Sequence, residues 1–201
     1  MRDSAHSESA AGTHLRGDET VVKIVVAGHF GVGKTTYVGT LSEIRPLRTE
    51  EVMTAASVHH DDLRGLPEKT ETTVAMDFGR LRLSDELVMY LFGAPGQERF
   101  LNVLSDLTRG ALGALVLTDT RRLADSYHII GRMEDLGLPY AVAVNEFDNA
   151  PSYGTEQLRD AMDLAPDTPL VLCDARSRDS SKQALVQLVE YLLTRHPEPI
   201  R

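Results

Sequence analysis

The sequence predicts an α/β fold: a mostly parallel sheet with one antiparallel edge strand and helices on both faces. Three observations carry that prediction. Short apolar, β-branched runs recur along the chain. Stretches with helical spacing separate most of them, the pattern of strand–helix–strand units on a parallel sheet. Two neighbouring runs are joined by a turn so short that they must pair antiparallel.

In order, "VVKIVVA" (21–27) reads as a buried strand. A glycine-rich turn follows, then a helix over "KTTYVGTLSEI" (34–44). Within 45–70, "RTEEVMTAASV" fits a short helix or a strand, and "HHDDLRGLPEKTE" fits a loop; a stretch this long without firm structure is often functional. "TTVAMDFGRLRL" (72–83) and "LVMYLF" (87–92) form the hairpin around "SDE". "ALGALVLTD" (111–119), "YAVAVNE" (140–146) and "PLVLCD" (169–174) read as further buried strands. Helices are expected near 99–108, 121–136, 155–163 and 180–196. The last carries Ala184, Leu185, Leu188, Val189 and Leu192 as an apolar stripe suited to packing on the sheet. Residues 1–19 lack any apolar period and read as a flexible tail, leaving 20–198 as one folded domain.

Net charge is −9, from 21 basic and 30 acidic residues, which argues against broad binding to nucleic acid or an anionic membrane. Cys173 is the single cysteine, so no internal disulfide is expected, in keeping with a reducing cytoplasm. No run is long and apolar enough to span a bilayer. The N-terminal segment lacks a signal-peptide core, Arg2 stands where N-myristoylation needs glycine, and "HPEPIR" offers no cysteine for prenylation. The expectation is a cytoplasmic protein without direct membrane insertion, any membrane location coming through a partner.

"GHFGVGKT" (28–35) fits G-x-x-x-x-G-K-[ST] between a strand and a helix, the context of a phosphate-binding loop. Gly28, Gly31 and Gly33 let backbone N–H groups curl around phosphate oxygens, and Phe30, Val32 and Thr36 share the cradle. The helix that follows turns its positive end to the same anion. Lys34 brings a point charge to the outer phosphates, and the Thr35 hydroxyl is placed for Mg²⁺. Kinases, ATPases and GTPases all share this loop.

Four further segments narrow the choice. In "VNEFD" (144–148), Asp148 can accept from the guanine ring N–H and exocyclic amine, a pair adenine lacks, while Asn145 braces the base site. Glu146 stands where such motifs usually have lysine; an ordinary acidic strand end is the plain alternative. In "CDARS" (173–177), the Ala175 N–H would meet the guanine carbonyl, with Arg176 beside it. In "TTVAMDF" (72–78), Thr73, or alternatively Thr72, is a hydroxyl that could ligate Mg²⁺ when the γ-phosphate is present. In "GQERF" (96–100), the Gly96 N–H would touch the γ-phosphate and Gln97 would orient the attacking water.

On these segments, in this order, the chain resembles the Ras-like small GTPases over about 21–196. "GHFGVGKTT", "LSEIRPLRTEEVMT", "TTVAMDFGR" and "LFGAPGQERF" resemble the prokaryotic branch: the GTP-binding proteins of actinobacterial conservon operons and the related polarity GTPases of gliding motility. The resemblance implies a G domain with a six-stranded sheet and five helices, GTP/GDP cycling with Mg²⁺, and a roadblock-type regulator. It also implies association with a sensor-kinase-like membrane protein.

Two departures shape the expected chemistry. Gly93 replaces the aspartate that usually holds a Mg²⁺-bound water. Asp77 could substitute, but it lies several residues along its strand and is expected to stay short of the phosphate end. Phe30 sits in the loop where an inserted arginine finger would pass, which implies slow hydrolysis awaiting help, with Arg45, Arg48 and Arg64 as internal candidates. A nucleotide-dependent scaffold with negligible hydrolysis and an ATP-binding protein stay open as alternatives. The histidines His29, His59 and His60 have no matching ligand cluster and read as loop residues. Arg121 and Arg122 read as solvent-facing.

Overall fold

The computed structural model describes residues 17–53, 72–97 and 101–195, with backbone alone for 48–53, 72–75 and 101–102. Strands β1 (Thr20–Ala27), β2 (Leu47–Met53), β3 (Thr72–Arg82), β4 (Leu87–Gly93), β5 (Gly113–Thr118), β6 (Tyr140–Asn145) and β7 (Leu170–Cys173) form one sheet in the order β2-β3-β4-β1-β5-β6-β7. The helices are α1 (Lys34–Leu41), α2 (Leu101–Thr108), α3 (Tyr127–Asp135), α4 (Thr155–Ala161) and α5 (Arg178–Arg195).

Among the described residues the strand count rises from the expected six to seven because Leu47–Met53 pairs antiparallel with β3, so the first part of "RTEEVMTAASV" is a strand and the rest lies outside the described residues. β3 is the one strand running against the rest, as expected, but β2 covers it and takes the edge. The remaining strands pair in parallel.

Alternation along β1 builds two cores. Ile24 and Val26 join Leu115 and Leu117 beneath α1 and α5, where Tyr37, Val38, Leu185, Leu188 and Leu192 close the layer. Val25 and Ala27 face the opposite side with Val116, Val142, Ile129, Met133 and Leu158 from α3 and α4. At about 25 cal/mol per Å² of apolar surface, such fully buried side chains each contribute roughly 1.5–3 kcal/mol before entropy is charged against them. The stripe expected on the last helix is buried at Ala184, Leu185, Leu188 and Leu192. Three hydrogen bonds among the described residues tie α1 to the C-terminal segment: Tyr37 Oη to the Ser181 carbonyl, Thr40 Oγ1 to the Ala175 carbonyl and Arg178 Nη1 to the Thr40 carbonyl, each 2.8 Å.

Helix ends differ from the sequence expectation for local reasons. α1 stops at Leu41 rather than residue 44 because Ser42 turns extended and its hydroxyl binds the Ile44 backbone. The helix expected from 121 opens as a 3₁₀ turn, Leu123–Ser126, before α3. No helix among the described residues is long and apolar enough to cross a membrane.

Candidate functional site

β1 ends at Ala27, and the chain turns through Gly28–Gly33 into α1. Gly28 (φ 144°) and Gly33 (φ 105°) take left-handed backbone that L side chains rarely adopt. Space forbids a side chain there too: a Cβ would fall 2.5 Å from the Leu117 carbonyl oxygen at Gly28 and 2.6 Å from Asn145 Nδ2 at Gly33. Gly31 and Phe30 stand at the outer rim, Phe30 66 % exposed, and Val32 is buried in the core. Thr36 faces solvent on the first turn of α1.

Lys34 is buried inside this loop, its Nζ donating to the Gly28 and His29 carbonyls at 2.8 Å each. Burial pushes its ammonium down to about 8, the Asp77 carboxylate pulling the other way. The loop thus stores a cation that carbonyls solvate only in part, which favours an incoming anion. Gly96 approaches the same point: a Cβ on it would lie 2.5 Å from Lys34 Nζ and 2.6 Å from the Phe30 backbone nitrogen. The loop lysine and the glycine of "GQERF" are therefore brought together, with Gln97 exposed next in the chain.

Asp77 corrects the expectation that it falls short. It pairs with Gly93 in the β3–β4 hairpin, because β3 begins well beyond the last residue of β4. Its carboxylate lies over the bare face of Gly93, where a Cβ would be 3.0 Å from Asp77 Cβ and 3.3 Å from Oδ2. Thr35 Oγ1 donates to Asp77 Oδ2 at 2.5 Å. The hydroxyl proton is committed to the carboxylate, so the Thr35 lone pairs are free for a cation. Hydroxyl and carboxylate oxygens are the hard donors Mg²⁺ takes.

Thr73 is not brought to this point. Its backbone lies in β3 opposite Val52, four residues from Asp77, or about 13 Å along an extended strand. The side chains of Thr72, Thr73 and Arg48 lie outside the described residues, as do His59, His60, Arg64, Glu98, Arg99 and Phe100. Arg45 is exposed. Among the described residues, no three His, Cys, Asp or Glu side chains cluster as a metal site.

Asn145 ends β6 and is 5 % exposed. Its Nδ2 donates to the Val32 carbonyl at 2.8 Å, and its Oδ1 accepts the Ala175 N–H at 2.9 Å. One side chain thus braces the phosphate loop against the "CDARS" loop. The Ala175 N–H, expected to face a base, is spent on this brace. Beyond it, Asp148 is exposed and paired with Arg176, whose guanidinium also holds Asp174. The hydrogen bonds from Arg176 keep both carboxyls below the usual carboxylate range.

Sequence reasoning missed a second cluster. Asp119, fully buried after β5, accepts from Arg121 Nε at 3.1 Å and Nη2 at 2.9 Å, and lies 3.5 Å from His29 Nε2. Burial raises its carboxyl, but the Arg121 hydrogen bonds and charge outweigh that and hold it below the ordinary range. Arg121 covers the Phe147 ring at 3.5 Å, so it joins the segment after β5 to the "NEFD" loop rather than facing solvent alone. Arg122 does remain outside, paired with Asp125 one turn on. An arginine two residues after a strand-end aspartate was the available signal.

A strand–loop–helix with a buried lysine, braced by a strand-end asparagine, defines a P-loop nucleotide-binding protein of GTPase-like fold. The chain belongs to the family described as "Conserved hypothetical ATP binding protein", whose model matches residues 26–195. No curated protein matches the sequence. Among solved structures it is similar to the G domain of the T. maritima FeoB iron transporter (TM-score 0.60, 17 % identity, 86 % of this chain and 99 % of that one). It is also similar to the cytosolic domain of that transporter in a GDP form (TM-score 0.62, 16 % identity, 88 % of this chain and 65 % of that one). The apo form of the same domain gives a TM-score of 0.61 at 16 % identity, over 86 % of this chain and 64 % of that one. The chain thus spans just under two thirds of the cytosolic-domain chains. At these identities the likeness shows the fold alone.

Proposed function

We propose that the chain is a slow GTPase used as a molecular switch: it binds GTP or GDP with Mg²⁺ and converts GTP and water to GDP and phosphate. The observation that supports the reading is the Asn145 brace, which ties the "CDARS" loop to the phosphate loop three residues before Asp148. A strand-end Asn-x-x-Asp in that place fits a guanine-reading site. Lys34 and the loop N–H groups would hold the phosphates. Thr35, oriented by Asp77, would hold Mg²⁺, which neutralises phosphate charge when bound.

Gln97 would orient water towards the γ-phosphorus, and Gly96 would sense the γ-phosphate. Thr73 would join the metal only in the GTP state. In the described conformation it is held in the β2–β3 ladder, so the start of β3 would have to leave that pairing. The resemblance to the conservon and polarity GTPases supports signalling with a roadblock-type regulator and a sensor-kinase-like membrane partner, from a cytoplasmic position peripheral to the membrane. The family's description favours a second reading, ATP binding. Glu146, in place of the usual lysine, fits that reading as well.

Single-turnover phosphate release tests the enzyme. The isolated protein with GTP and Mg²⁺ is expected to turn over slower than about 0.01 s⁻¹, the scale of unassisted switch GTPases, and faster once its regulator is added. Unaided turnover near 1 s⁻¹ would contradict a switch awaiting help. No release with the regulator present would leave a nucleotide-dependent scaffold.

A further inference from the structure

Both oxygens of Asp148 are occupied by a single side chain. Arg176 places Nη1 3.0 Å from Asp148 Oδ2 and Nη2 3.3 Å from Oδ1. The same guanidinium grips Asp174 through Nε (3.0 Å to Oδ1) and Nη2 (3.1 Å to Oδ2). Asp174 Oδ1 also accepts the Arg176 backbone N–H at 2.9 Å, which fixes the arginine to its own loop. Glu146 leaves the base loop without its usual cation, and Arg176 brings one from the neighbouring loop.

The two donors on Asp148 have a close chemical equivalent. The reading edge of guanine is a ring N–H and an amine on one carbon, a cyclic guanidine. Arginine ends in an acyclic one, with two N–H groups in the same parallel fork. Adenine has no such edge.

We propose that Arg176 is a built-in stand-in for the guanine base: it caps Asp148, and an incoming base must take its place. The proposal rests on Asp148 reading guanine. Displacement surrenders only the Asp148 half of the fork. Nε can stay on Asp174, so the arginine pivots about that one bond and remains beside the site. Arg176 and Asp148 are 58 % and 79 % exposed, and ion pairs that open to water are weak. The cap therefore yields to guanine, which replaces it in kind, and gives adenine nothing to exchange. While closed, it reduces the binding-competent fraction and slows association.

Arg176→Met keeps the aliphatic stem and removes every donor. In stopped-flow binding of fluorescent GDP at low ionic strength, this variant is expected to associate roughly two- to fivefold faster than the parent, with little change in dissociation. The gap should narrow as salt screens the fork. Asp148→Ala, run alongside, reports on the base reading itself and is expected to weaken GDP more than about tenfold. If Asp148→Ala binds GDP as tightly as the parent, the guanine assignment fails and the cap with it. If Asp148→Ala weakens GDP but Arg176→Met associates no faster, or releases GDP sooner, the assignment stands and the cap is overturned. Both changes lie on the exposed surface, and thermal unfolding of each variant confirms that it folds.

Discussion

Asn145→Ala is expected to lower the stability of the nucleotide-free protein by about 2–6 kcal/mol and to weaken nucleotide binding further. The substitution strands two buried groups at once, the Val32 carbonyl and the Ala175 N–H. Val32 is fully buried and Ala175 1 % exposed, so water cannot replace the lost partner. Each unsatisfied buried group costs about 1–3 kcal/mol. Against a total of about 5–15 kcal/mol for a domain, that is a large share. The binding loss has a separate origin: Gly33 packs against the Asn145 amide, and removing it frees the turn that aims the loop N–H groups. Urea unfolding of the apo protein, then GDP titration of the folded fraction, separates the two effects. A stability change below about 0.5 kcal/mol, the scale of a surface substitution, would show that the brace is incidental.

Asp77→Ala is expected to remove the Mg²⁺-dependent part of GDP affinity, roughly 10–100-fold, while affinity in EDTA changes little. Asp77 holds the Thr35 hydroxyl and fills the space above Gly93. Gly93→Asp by itself should be harmful, since its Cβ would meet Asp77 Cβ at 3.0 Å and set two carboxylates against each other. In the Asp77→Ala background, the same Gly93→Asp change should restore part of the Mg²⁺ dependence. GDP affinity measured with and without Mg²⁺ across the three variants reads this directly. Equal Mg²⁺ dependence in the parent and Asp77→Ala would rule out the exchange of carboxylates between strands.

Much of the fold was legible in sequence because local signals agreed. The β-branched runs became strands, and the glycine loop lies between the strand and helix that its motif requires. Asn145 was legible as a brace because strand-end position and residue type both pointed there. Asp77 was misjudged through hairpin register. A hairpin centred on Asp85 sets residues 77 and 93, each eight positions away, opposite one another. Counting from the turn, rather than from the start of the strand, would have found the pair. For Arg176 and Arg121 the aspartate two residues earlier was a local signal, but their second partners, Asp148 and Phe147, lie on another loop. Their distances depend on how separate strands are ordered in the sheet, which no local pattern encodes. β2 was ambiguous because its partner, β3, supplies the ladder that makes it a strand.

The central claim is that this phosphate loop serves a guanine nucleotide, although the family's description speaks of ATP. Competition for labelled GDP on the unmodified protein, in Mg²⁺ buffer, tests it most directly. GTP is expected to displace the label at near-equal concentration, while ATP fails at a hundredfold excess or more, the discrimination of a site whose polar groups go unpaired with the wrong base. Displacement by ATP as readily as by GTP would contradict the account.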